Sequence, residues 1–210
     1  MSENTEFYNL FCSGISERKR ALIFKDGEDD YFFPPLGNEW DADFVENTKC
    51  DAFILFFVAE LENYFESIIE AFMKRYEGTF KGYFLKNCSA GEGYILAIQS
   101  KIRDISKNHN TNWQKISPLF SFIGMSKERH FPQDYWDEVD NIVSHRGHVA
   151  HNGMHLRVET DRRIFISQIK TIIDKTNQFD KKVFEWLSSV DIEMERLSAL
   201  SNLSFSPNYI

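Results

Sequence analysis

Residues 51 to 77 contain no glycine or proline, and their apolar side chains recur at steps of three and four. Ile54, Phe57, Val58, Leu61, Tyr64, Phe65, Ile68 and Phe72 carry that rhythm, with Glu60, Glu62, Glu66 and Glu70 at other positions. A 3.6-residue period over this length specifies an amphipathic helix and excludes a strand, whose side chains alternate with period two. The segment predicts a helix from about residue 47, some seven turns long, closed by Gly78 and Gly82.

The same period returns downstream. Ile95, Ile98, Ile102 and Ile105 mark a second helix that ends in the polar run Asn108-His109-Asn110. A third starts at Thr111, carries Trp113, Ile116, Leu119, Phe120 and Ile123, and ends at Gly124; Pro118 is expected to break or kink it. A fourth begins near Pro132, shows Tyr135, Trp136, Val139, Ile142, Val143, Val149 and Ala150, and stops at Asn152-Gly153. The fifth follows a cap at Thr160 or Asp161 and carries Phe165, Ile166, Ile169, Ile172, Ile173, Phe179, Val183 and Leu187. The expected fold is an all-α antiparallel bundle of about five helices. Residues 46–190 form its body, and 191–210 a helix extension and tail.

Residues 1–45 differ in composition. Acidic and aromatic residues mix from Glu28 to Phe44, and Pro34-Pro35 interrupts them. This stretch reads as an irregular N-terminal arm, with a short hairpin around Asp26-Gly27 as one option. The acidic run from 28 to 46 is ordinary surface by default, and a lid over a basic site is the sharper alternative.

A chain of 210 residues with 42% apolar content and 20 phenylalanines can bury a core without metal or disulfide staples. Cys12, Cys50 and Cys88 are odd in number and widely spaced, as expected of thiols in a reducing cytoplasm. Met1 to Thr5 is polar and acidic, and the apolar stretch Ala52 to Val58 is too short for a bilayer; a cytoplasmic protein without membrane partners is expected. The net charge of −8 argues against non-specific adhesion to nucleic acid but permits a compact basic site.

One such site is written near the end of the fourth helix, in Arg146-Gly147-His148-Val149-Ala150-His151-Asn152. Arginine is permanently charged and forks onto phosphate oxygens, while histidine titrates near neutral pH. Positions 139, 142, 143, 146, 149 and 150 share one helical face, so Arg146 lies in line with an apolar stripe. By default it snorkels to water at the core edge, and His151 serves as a C-terminal cap donor favoured by the helix dipole. On one ideal helix the two diverge by about 140° and lie roughly 7.5 Å apart along the axis. Either the arginine arm wraps toward the helix end, or two copies of the motif meet across a dimer.

An arginine, four intervening residues and a histidine, ending a helix in a small all-α chain, resembles the HEPN superfamily. The phrase Val58-Ala-Glu-Leu-Glu-Asn-Tyr-Phe-Glu66 resembles that family's long first helix, and the segment after Gly153 its last. The likeness covers residues 47 to 190 and is nearest to the subgroup of RNase LS and prokaryotic stress proteins. It implies a homodimer joined through the Arg146/His151 face, with the two motifs forming one composite site. It also implies a cofactor-free, metal-independent endoribonuclease of toxin–antitoxin or phage-defence type, whose partners are an RNA substrate and an antitoxin or regulatory protein. Arg146 and His151 would be catalytic, and Glu62, with Glu66 next, a helper acid. The position after the arginine is usually polar in the family, and here it is Gly147; His148 and Asn152 are the groups placed to supply that contact. A binding-only module that keeps the fold and has lost the chemistry is the alternative.

Other chemistries find less support. His145, His148 and His151, neighbours on one helix surface, invite a zinc reading together with His155. Such sites usually recruit a carboxylate or thiolate, for which Glu138 and Asp140 are the nearest acids; activity persisting in chelator would favour the metal-free reading. No glycine-rich phosphate loop, Gly-x-Ser-x-Gly elbow or Cys–His pairing is present. The pairs Lys74-Arg75 and Arg162-Arg163 are too small for a nucleic-acid patch on their own.

Overall fold

The computed structural model describes residues 4–22, 42–87, 91–105, 111–152 and 162–202. These residues form seven helices and no strand: α1 (Glu6–Leu22), α2 (Ala42–Asn87), α3 (Gly91–Ile105), α4 (Trp113–Phe122), α5 (Lys127–His130), α6 (Tyr135–Asn152) and α7 (Arg162–Asn202). The all-α class holds.

Three expectations change. Residues 6–22 are not an irregular arm, because Glu6–Leu22 is a regular helix whose Tyr8, Phe11 and Ile15 enter the core at helical spacing. Helix α2 does not close at Gly78 and Gly82 but continues to Asn87. A glycine costs a helix interior only about 1 kcal/mol, which neighbouring residues can override. A single turn, α5, joins α4 to α6 where none was expected. The hairpin around Asp26-Gly27, most of the acidic 28–46 stretch, and residues 203–210 lie outside the described residues.

Helix α2 is the axis of the molecule, packed by α1, α3, α6 and α7. Its apolar stripe is buried as the period demands, with Ile54, Val58, Leu61, Phe65 and Ile68 fully enclosed. Helix α1 runs antiparallel to it: Tyr8 meets Tyr64, Phe11 meets Phe57, and Arg18 stacks over Phe56. Aromatic side chains fill the centre. Phe65 lies 5.1 Å from Trp136 between ring centres, and Phe131 stacks on Phe179 at 4.2 Å.

Local stops are built by backbone geometry. Asn112 caps α4 by accepting from the Lys115 amide at 3.0 Å. Gly124 closes it in the left-handed region (φ 82°), where a side chain would be strained. The Gly124 amide then donates to Ser121 and the Met125 amide to Phe120, which satisfies the last carbonyls. Pro118 sits inside α4 without ending it.

A carboxyl group is sealed in the core. Asp180 of α7 is fully buried and accepts from the Thr5 amide at 2.7 Å, the Thr5 hydroxyl at 2.5 Å and the Tyr64 hydroxyl at 2.9 Å. Burial pushes its carboxyl above the usual range, and the donors of Thr5 and Tyr64 pull it part-way back. These bonds fasten the start of α1 to α2 and α7.

Candidate active site

Helix α6 carries Trp136, Val139, Ile142 and Val143 into the core, and then its stripe runs past the core edge. Val149 is half-buried and Ala150 exposed. Arg146 stands at that edge with its side chain 31% exposed. The guanidinium reaches across to α2, where its Nη1 lies 3.7 Å from Oε1 of Glu62, whose side chain is only 13% exposed. At this separation the contact is an ion pair and not a hydrogen bond, and Glu62 Oε1 is buried without a hydrogen-bond partner. Arg146 therefore does not simply snorkel to water. It leans on an acid of the neighbouring helix.

The carboxylates of α2 form a ladder at one-turn spacing. Glu70 pairs with Lys74 at 2.6 Å. Glu66 lies half-buried between Glu62 and Glu70, and its carboxyl is pushed up to about 7, first by burial and then by those two neighbours. Read from sequence, such glutamates are solvated surface by default. Four helices pack on α2, and Glu62 and Glu66 are partly buried while Asn63 and Lys74 of the same helix stay exposed.

His151 is exposed in the last turn of α6, His148 is exposed, and His145 is half-buried. Helix α6 is continuous from Tyr135 to Asn152, so Arg146 and His151 keep the angular separation of a regular helix, about 140°. One chain thus brings Arg146 to Glu62 and leaves His151 facing elsewhere. Asn152 ends the helix, with its side chain outside the described residues. A side chain built at Gly147 would meet nothing within 4 Å, so packing does not require a glycine after the arginine. Among the described residues no three His, Cys, Asp or Glu side chains are grouped to hold a metal ion; His155 lies outside them. No described helix is long and apolar enough to cross a membrane.

Comparison with known protein families, curated proteins and solved structures returned no match. The chemistry of this edge must be argued from its own residues.

Signals for part of this arrangement were present in the sequence. Glu62, with Glu66 next, is singled out by the sequence reading as an acid of this helix, but the Glu62–Arg146 contact spans two helices far apart in the chain. No local pattern encodes it.

Proposed function

We propose that this chain is a homodimeric, metal-independent endoribonuclease of the HEPN type, acting in the cytoplasm as a toxin or phage-defence effector. The observation that carries the reading is an arginine at the rim of the core, steadied by the Glu62 carboxylate at ion-pair distance. It lies on the same helix as an exposed terminal histidine. Two copies joined along α6 would supply paired guanidinium and imidazole groups to one crevice.

In that crevice a ribose 2′-oxygen attacks the adjacent phosphorus. The 2′-O–P bond forms, the P–5′-O bond breaks, and the ends are a 2′,3′-cyclic phosphate and a free 5′-hydroxyl. His151 takes the proton from the 2′-hydroxyl or gives one to the departing 5′-oxygen. Arg146 stabilises charge on the non-bridging oxygens. Glu62 positions the guanidinium, and Glu66, titrating near neutrality, is a second proton-transfer group. DNA lacks the attacking hydroxyl and is inert. An antitoxin or regulatory protein is a further partner that accompanies this reading.

A second reading is a catalytically silent helical module that binds RNA, a nucleotide or a partner protein. The favouring observation is that Arg146 already has a partner within its own chain while His151 points away. Incubating RNA with purified protein in chelator, with end-group analysis, separates the two. Cyclic phosphate ends that disappear in Arg146→Ala and His151→Ala, with helicity and dimerisation intact, are expected of the nuclease. Wild-type cleavage by either variant, or no cleavage by the wild type, would refute it.

A further inference from the structure

We infer that the groove between α1 and α2 is a binding site for a small linear polyamine. It lies on the opposite side of α2 from the Arg146 edge: Glu60 faces α1 whereas Glu62 faces α6, as two residues at about 100° each require.

The groove encloses about 350 Å³, within the range of small-molecule sites. Phe7, Phe11 and Tyr64 line it with aromatic surface, and Leu10 stands at its rim, 69% exposed. Two carboxylates enter from different helices, Glu17 from α1 and Glu60 from α2. Neither has a salt-bridge partner among the described residues. Gly14 shapes the site, because a Cβ there would lie 2.7 Å from the carboxyl carbon of Glu60. The missing side chain lets that carboxylate rest against the α1 backbone. Ser13, Asn63 and Ser67 add oxygen acceptors.

This lining selects by charge. An anion would meet two carboxylates, with no lysine or arginine among the described lining residues. A neutral apolar guest would strip water from the half-buried Glu60 carboxylate without replacing it. No described group of three His, Cys, Asp or Glu side chains could hold a metal ion. An alkylammonium chain satisfies all parts at once: its ammonium groups donate to Glu17 and Glu60, and its methylenes lie on the aromatic floor. The rings also favour cations on their faces.

The test is calorimetric titration of the full chain with spermidine near physiological ionic strength, where diffuse attraction to an acidic protein is screened. Saturable heat at one spermidine per chain is expected. Glu60→Gln should weaken binding about tenfold, the loss that follows removal of a charged hydrogen-bond acceptor. Glu128→Gln, on exposed α5, should change it less than about twofold. If Glu60→Gln does not fold, Leu10→Lys at the exposed rim must weaken binding instead, by planting a cation at the mouth. Absence of saturable heat, equal weakening by Glu128→Gln, or full binding by Glu60→Gln or Leu10→Lys would overturn the inference.

Discussion

Replacing Glu66 with glutamine should make the protein more stable at alkaline pH and leave it nearly unchanged in acid. The carboxyl of Glu66 is raised from 4.5 to about 7 by burial and by Glu62 and Glu70 on either side. The folded state therefore holds this proton more tightly than the unfolded chain does. The associated stability is complete below about pH 4.5 and is lost as pH rises through about 7. In a fully desolvated site the displacement would correspond to about 3 kcal/mol. Glu66 is only half-buried, and water screens the field, so about 1 kcal/mol is expected. Glutamine is isosteric and neutral at all pH values, so it removes the dependence. Urea unfolding of both proteins at pH 5 and pH 8 measures it: the advantage of Glu66→Gln should grow by about 1 kcal/mol between the two, or roughly 2–4 °C in Tm for a chain this long. A pH-independent difference would refute the reasoning. So would a wild type more stable than the variant at pH 8, since it would mean that Arg146 or another cation stabilises the ionised form.

Tyr64→Phe deletes one of three donors to the buried Asp180 carboxyl and should lower stability by about 2 kcal/mol, read as a reduced urea midpoint at constant slope. Gly147→Ala should raise stability by about 0.5–1 kcal/mol, because the position is helical and open; thermal unfolding checks it, and a loss of stability would reveal a contact that the single chain does not make.

Helix periodicity was the most readable layer of this sequence. The stripe from Ile54 to Phe72 is buried throughout, because burial and a 3.6-residue repeat impose the same constraint. Helix α1 carried the signal too, in Tyr8, Phe11 and Ile15, but the acidic and proline-rich residues behind it dominated the composition of the first 45 positions. Gly78 and Gly82 misled in the opposite direction, since a helix braced by neighbours tolerates a local propensity loss. At the candidate site, the edge position of Arg146 followed from its stripe. Its pairing with Glu62, the squeeze on Glu66 and the union of Thr5 with Asp180 did not. The first and last join segments far apart in the chain, where no short-range pattern operates, and the squeeze on Glu66 depends first on burial, which its one-turn neighbours Glu62 and Glu70 do not reveal.

The clasp on Asp180 has a consequence for how the molecule breathes. The first turn of a helix ordinarily frays and trades its amide hydrogens with solvent within moments. Here the Thr5 amide is spent on a carboxylate sealed inside the protein, so releasing it strands a charge in hydrocarbon. That hydrogen should exchange only when the whole body opens, which makes the start of α1 a gauge of global unfolding instead of its earliest casualty.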